Sequence, residues 1–237
     1  RYTNKYKTRN HLQRSIMKEY LKITNECNME LMARYPDNYF DLAIVDPPYG
    51  KNPHRNRDGL GVAHRNYESG STQWDVLPLK EYWTELFRVS KNQIVWGGNY
   101  FMEHLYSTNS FIFWDKQKSF KDFADGELAW TSFNKAVKKY TFAWNGMIQG
   151  DMKNKETRIH PTQKPSALYQ WLLTNYAEPN FKILDTHLGS GSIAIAVDSV
   201  NKIEKMNLTL TACELDTEYY QTATQRIKEQ TTWNSLF

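Results

Sequence analysis

Apolar residues arrive in short bursts along this chain, and their spacing switches between two periods. Residues 41–46 (DLAIVD) form an apolar run that ends in an acid followed by two prolines. Proline cannot donate to a sheet ladder, so this pattern predicts a buried strand stopped at its carboxyl end. Similar runs at 93–96, punctuated by Gly97-Gly98, and at 111–114, 181–185 and 208–213 predict four further strands. Between them, Leu79, Tyr82, Trp83, Leu86 and Phe87 recur at helical spacing. So do Leu168, Trp171, Leu172 and Tyr176 after Pro165, and Tyr219, Tyr220, Ala223 and Ile227 near the end. Strands alternating with helices predict an open, mostly parallel α/β sheet covered on both faces. In such a sheet, ligands bind beyond the carboxyl ends of the strands.

At 237 residues the chain has room for one large domain with embellishments, assigned here to residues 17–237. Residues 50–75 stand apart: they mix glycines with polar and basic residues such as Lys51, His54, Arg55, Arg57, His64 and Arg65, and hold few apolar anchors. A loop of that length is usually functional or disordered, and a mobile loop is expected there. The net charge of +4 comes from the amino-terminal residues. Residues 1–16 carry Arg1, Lys5, Lys7, Arg9 and Arg14 without an acid, and the rest of the chain has 25 basic against 26 acidic residues. Because residue 1 is not Met and Met17 directly precedes the first recognisable pattern, this stretch reads either as a cloning remnant or as an upstream basic extension. Cys27 and Cys213 lie far apart without nearby partners, so neither a disulfide framework nor a metal cluster is expected. Free thiols, no export signal and no apolar run near the roughly 20 residues of a membrane span lead to the expectation of a cytoplasmic protein.

Three constellations carry chemistry. The first is Asp46-Pro47-Pro48-Tyr49 at the predicted strand tip. An exocyclic amine on a base is a poor nucleophile because its lone pair is delocalised into the ring. A carboxylate accepting one amino hydrogen and a backbone carbonyl accepting the other would draw the nitrogen toward tetrahedral geometry. Each proline lacks an N–H and has a fixed φ, so the carbonyls around Pro47 are held without donors of their own. Tyr49 adds a flat ring on which a base taken out of its helix could stack, offsetting an unstacking cost of a few kcal/mol.

The second constellation is the run ending at Asp185, followed by His187, Gly189, Ser190 and Gly191 and then the small residues 193–197. Glycines between a strand and a helix let the backbone approach a ligand, and the helix start offers unpaired N–H groups. About twenty residues further on a second predicted strand ends at Glu214, an offset suited to gripping ribose hydroxyls. Together these predict a nucleoside cofactor, and the Gly-Lys-Ser/Thr of a phosphate loop is absent. The third is His160-Pro161-Thr162-Gln163-Lys164-Pro165. It leads into a predicted helix, where Lys164 and the helix start could hold a carboxylate.

These patterns, in this order, resemble the amino-methylating DNA methyltransferases of the permuted β group, whose DPPY segment precedes an HPTQKP segment and then the cofactor glycine loop. The resemblance runs from about residue 23 to residue 227. It implies a Rossmann-like methyltransferase fold, a seven-stranded mixed sheet with its last strand inserted antiparallel and helices on both faces, in circularly permuted motif order. It implies S-adenosylmethionine as methyl donor, without a metal, and a duplex-DNA substrate whose target base is flipped. Asp46, Pro47, Pro48 and Tyr49 would meet that base. Asp185, His187, Gly189, Ser190 and Gly191 would line the cofactor, Glu214 would hold its ribose, and Thr162 with Lys164 would approach its methionine end. An Asp at the start of the first motif is similar to the adenine-modifying members; the nearest alternatives are the 4-amino group of cytosine and a DNA-binding relative that has lost the reaction.

Two departures from the family pattern stand out. The usual D-P-F-x-G-S-G-T loop reads here with Thr186 and His187 in place of Pro and Phe, and Ser192 closes it. The Asp-Cys pair that precedes the first helix in many members, its Asp on the cofactor's adenine, reads here as Glu26-Cys27-Asn28, leaving Glu26 or Asn28 to take that place. Target recognition is expected between the first motif and His160. Lys51, Arg55, Arg57 and Arg65 are candidates for phosphate contacts, and residues 106–159 form the recognition region, with the Lys- and aromatic-rich stretch 116–139 inside it. The chain has no room for a nuclease, so any restriction endonuclease would be a separate partner. A monomer and a homodimer both fit.

Overall fold

The computed structural model describes residues 18–49, 77–117, 124–145 and 148–233. The candidate loop 50–75, and with it Lys51, Arg55, Arg57 and Arg65, lies outside the described residues, as do residues 1–16. Among the described residues, ten strands and five helices of four or more residues follow in chain order. They are β1 (Leu21–Asn25), α1 (Asn28–Ala33), β2 (Phe40–Val45), α2 (Lys80–Val89), β3 (Ser90–Trp96), β4 (Phe111–Asp115), β5 (Gly126–Thr131), β6 (Lys138–Thr141), β7 (Trp144–Asn145), β8 (Ile148–Gln149), α3 (Ser166–Tyr176), β9 (Lys182–Asp185), α4 (Ser192–Ile203), β10 (Thr209–Glu214) and α5 (Thr217–Trp233).

Eight strands form one sheet in the order β1-β10-β9-β2-β3-β5-β4-β6, and β7 and β8 form a separate hairpin. Every neighbour pair from β1 to β3 is parallel, with Asn25 beside Glu214, Ala212 beside Asp185 and Val45 beside Val95. β5 then runs antiparallel between β3 and β4, and β6 adds a parallel edge. The sheet therefore has eight strands where seven are expected. The additional β6 (KKYT) pairs through its backbone, while its side chains are mostly exposed and charged, so it lacks an apolar signature.

The two-residue strand period divides the core between the faces. Leu42 and Ile44 of β2, with Ile94 and Trp96 of β3, face α3, α4 and α5 through Leu168, Leu172, Ile193, Val197, Ala223 and Ile227. Ala43, Val45 and Val95 face the other way, toward Leu31 and Met32 of α1 and Tyr82, Trp83 and Leu86 of α2. β2 is sealed on both sides, as its unbroken apolar run predicts. Among the described residues of 106–159, β4, β5 and β6 belong to the main sheet, and Trp130 within them is fully buried core. Among the described residues no helix is long and apolar enough to cross a membrane.

Candidate active site

The parallel half of the sheet brings three acids to one rim, because neighbouring strands β10, β9 and β2 end at Glu214, Asp185 and Asp46. Pro47 and Pro48 end β2 by removing the N–H groups that a ladder needs. They turn the chain so that Tyr49 folds back, and its hydroxyl donates to Asp46 Oδ1 at 2.7 Å. Burial, and then the Asp46 charge, hold that hydroxyl well above the usual phenol range, so it acts as a donor. The Tyr49 ring stacks on Tyr100 with centroids 4.9 Å apart and meets the edge of Phe101 at 6.0 Å. Gly97 makes room for it: a Cβ there would lie 2.3 Å from the Tyr49 ring, and the residue has φ of +66°. Gly97 thus seats the Tyr49 ring, while a Cβ on Gly98 would come within 2.4 Å of Trp130.

Lys164 departs from expectation. Its backbone carbonyl accepts from Ser192 Oγ at 2.7 Å, which ties the HPTQKP segment to the start of α4. Its side chain, only 4% exposed, does not turn toward the glycine loop to await a ligand carboxylate. The ammonium pairs with Asp46 Oδ2 and reaches Glu127 Oε2 on β5 at 3.2 Å. It also lies 5.4 Å from the Trp96 ring and 5.9 Å from that of Tyr49. Lys116, at the end of β4, pairs with the other oxygen of Glu127. A buried ammonium needs such partners, since desolvation alone lowers its pKa, and here Asp46 and Glu127 reverse that effect and raise it. No motif pointed to Glu127, which lies in the Lys- and aromatic-rich stretch 116–139.

Beside this cluster lies the glycine loop. Gly189 and Gly191 both have positive φ, +53° and +75°, and a Cβ on Gly191 would come within 2.7 Å of Ile227 on α5. The loop is anchored by the Gly189 N–H donating to Glu214 Oε2 at 2.8 Å, while Asp216 N–H donates to Oε1 at 3.0 Å. Arg226 of α5 donates to the Ser190 carbonyl at 2.7 Å, and Ser190 Oγ lies 3.0 Å from Ser192 Oγ. Asp185 is buried and accepts from His187 N–H at 3.0 Å. Burial, reinforced by the charges of Asp46 and Glu214, pushes its carboxyl up to about 7. A carboxyl in that state is suited to a cationic ligand, which would draw it back to the ionised form.

The two departures from the family pattern meet here. Asn28 Nδ2 lies 3.1 Å from His187 Nε2, and Thr186 Oγ1 lies 2.9 Å from His187 Nδ1. Burial pushes the imidazole down to about 4, so it is neutral at ordinary pH. An amide N–H can only donate, so Nε2 accepts and Nδ1 carries the hydrogen toward Thr186. Thr186 Oγ1 in turn lies 2.8 Å from the Tyr82 hydroxyl, which fixes the ring against α2. Glu26 points elsewhere, held by both guanidinium nitrogens of Arg34 at 2.5 and 2.7 Å, and Cys27 Sγ is 3.9 Å from Asn28 Oδ1. Of the two alternatives, Asn28 is the one at the loop. Thr162 Oγ1 lies 3.1 Å from His160 Nδ1, and the His160 ring meets Tyr219 edge-on at 4.3 Å.

Strand-end acids, a glycine loop entering a helix and a stacked aromatic beside Asp46 can together hold a nucleoside and a second flat ring side by side. The model of the N6/N4 DNA methylase family matches residues 92–225, more than half of the chain; Asp46 to Tyr49 precede that stretch. The chain is similar to the type II methyltransferase M.BglII of Bacillus subtilis, at 26% identity over 96% of this chain and 75% of that protein. Among solved structures it is similar to the M1.HpyAVI–SAM complex, with a TM-score of 0.53 and 20% identity over 87% of this chain and 99% of that one. It is also similar to the PvuII DNA methyltransferase, a cytosine-N4-specific enzyme, with a TM-score of 0.53 and 10% identity over 90% and 93%. At these identities the structural likeness is one of fold.

Proposed function

The chain belongs to the N6/N4 DNA methylase family, and from that premise we propose that it methylates the 6-amino group of adenine at specific sites in duplex DNA, using S-adenosylmethionine. The observation that carries the reading is Asp46, held at a proline-terminated strand tip with one carboxylate oxygen on Lys164 and the other on the Tyr49 hydroxyl. An ionised oxygen has lone pairs to spare, so Asp46 Oδ1 can accept an amino hydrogen of the target base. The Pro47 carbonyl accepts the second, and the Tyr49 ring stacks on the flipped base.

S-Adenosylmethionine, when bound, supplies a methyl carbon carried on positively charged sulfur. The residues present fit it. Glu214 offers a carboxylate to ribose hydroxyls, Asp185 a buried carboxyl to a cationic end, and Gly189, Ser190 and Gly191 a backbone that a ligand can approach. His187, oriented by Asn28, gives the pocket a fixed neutral ring, while Thr162 borders the loop through His160. Methyl transfer would return the C–S electron pair to sulfur, and the proton lost from the amino nitrogen would pass to solvent by way of Asp46 Oδ1, the carboxylate oxygen that accepts its hydrogen bond. Asp46, with Pro47, keeps the nitrogen lone pair aimed at the methyl carbon.

The order of the segments, Asp46 to Tyr49, then His160 to Pro165, then Gly189 to Gly191, supports the permuted β-group arrangement. The Asp at the head of the first motif supports adenine over cytosine. Lys51, Arg55, Arg57 and Arg65 are the sequence's candidates for phosphate contacts. Digestion of DNA methylated by the protein and mass spectrometry of the nucleosides tests the base assignment: 6-methyladenine is the expected product, and 4-methylcytosine overturns it.

A further inference from the structure

Asp46 belongs to a chain of charges that runs deeper than the motif. Its Oδ2 meets Lys164, Lys164 also faces Glu127 Oε2 at 3.2 Å, and Glu127 Oε1 meets Lys116. Two ammonium groups and two carboxylates therefore form a neutral, largely buried cluster that spans β2, β4, β5 and the segment before α3. Such clusters cost desolvation free energy that an apolar replacement would not, so their retention calls for a positional reason. The geometry supplies one. With Asp46 alone as partner, the Lys164 ammonium is free to bridge both carboxylate oxygens and compete with a target amine. With Glu127 Oε2 as a second partner at 3.2 Å, it is held toward Oδ2.

We propose that Glu127 is a positioning residue for methyl transfer: backed by Lys116, it holds Lys164 on Oδ2 of Asp46 and leaves to the target amino group the lone pair of Oδ1 that the Tyr49 hydroxyl does not take. The proposal rests on the reading that Asp46 receives the target amine. The titratable groups facing Glu127 are Lys116 from β4, Lys164 and Tyr169 from the α3 side, and Tyr49 beside Asp46. Burial raises its carboxyl, and Lys164 and Lys116 outweigh burial and bring it down to about 2. Removing Lys116 leaves burial opposed by Lys164 alone. The carboxyl then protonates at higher pH and lets go of Lys164 on acidification.

Single-turnover transfer of tritiated methyl from S-adenosylmethionine to unmethylated genomic DNA, from weakly acid to weakly alkaline pH, tests this. Glu127→Gln is expected to slow transfer about 100-fold, the scale of a small misplacement of a reacting group, with cofactor affinity unchanged and Glu127→Asp recovering part of the rate. Lys116→Met is expected to transfer well at alkaline pH and to lose activity on acidification where the wild type does not. Adding Glu127→Gln to Lys116→Met is expected to remove that acid sensitivity and leave a low, flat profile. Wild-type rates in Glu127→Gln, or a Lys116→Met profile that superimposes on the wild type, overturn the proposal. Should Glu127→Gln fail to fold, Lys116→Met carries the test by itself. Absence of Asp46-dependent transfer in the wild type is a separate outcome, and it rejects the function rather than the positioning.

Discussion

Asp185 is an acid whose ionisation the site sets far from its ordinary state. Burial, together with the nearby Asp46 and Glu214, pushes its carboxyl up to about 7, whereas in the unfolded chain it titrates near the usual 4. The folded state thus holds this proton more tightly. Its contribution to stability is fully present below about pH 4 and is lost as pH rises through about 7. A cationic ligand reverses the preference, so S-adenosylmethionine is expected to bind more tightly as pH rises through neutrality and to release a proton on binding. Calorimetry in buffers of different ionisation enthalpy checks this, and Asp185→Asn is expected to abolish the proton release. Gly97 carries a different constraint. Alanine there meets both the left-handed backbone, a cost of about 1–2 kcal/mol, and the Tyr49 ring at 2.3 Å from its Cβ. Gly97→Ala is expected to lower stability by at least that amount in chemical denaturation and to reduce methyl transfer by displacing Tyr49.

At the scale of elements, α2, α3 and α5 were readable because their apolar residues recur at helical spacing, and β2 because Pro47 and Pro48 announce its end. α5 also begins on a side-chain cap. Asp216 Oδ1 accepts from the N–H groups of Glu218 and Tyr219, both at 2.9 Å. Asp216→Ala is expected to cost about 1 kcal/mol of stability, measured by thermal or chemical unfolding. β5 and β6 were not legible as strands. The sequence GELAWT of β5 carries no apolar run, and its place is decided by antiparallel pairing with β4 and with β3, the latter about 35 residues away in sequence, so local pattern carries little of the information. Lys164 stands out in the sequence through its motif, but its partner does not: Asp46 lies 118 positions away, and only the sheet order brings β2 and β5 within its reach. The helix entry before Ser166 invites a ligand anion on sequence grounds, but in the fold that ammonium is already paired.

For the whole molecule, the parallel sheet does most of the positioning. Aligning β10, β9 and β2 in one direction sets Glu214, Asp185 and Asp46 along one rim, with the glycine loop between them, before any loop outside the sheet contributes. That rim was foreseen as a consequence of strand ends, and its two family departures, Asn28 and His187, prove to be hydrogen-bond partners across 159 positions. In the proposed reaction the cofactor side and the base side are joined by Asp46, whose charge reaches both Asp185 and Lys164. Everything proposed about the reaction passes through that carboxylate. Transfer of tritiated methyl from S-adenosylmethionine to duplex DNA by the wild-type protein and by Asp46→Ala, with cofactor binding measured on both, tests it most directly. Incorporation by the wild type and none above background in a variant that still folds and binds cofactor is the expected result; incorporation that survives the substitution contradicts the account.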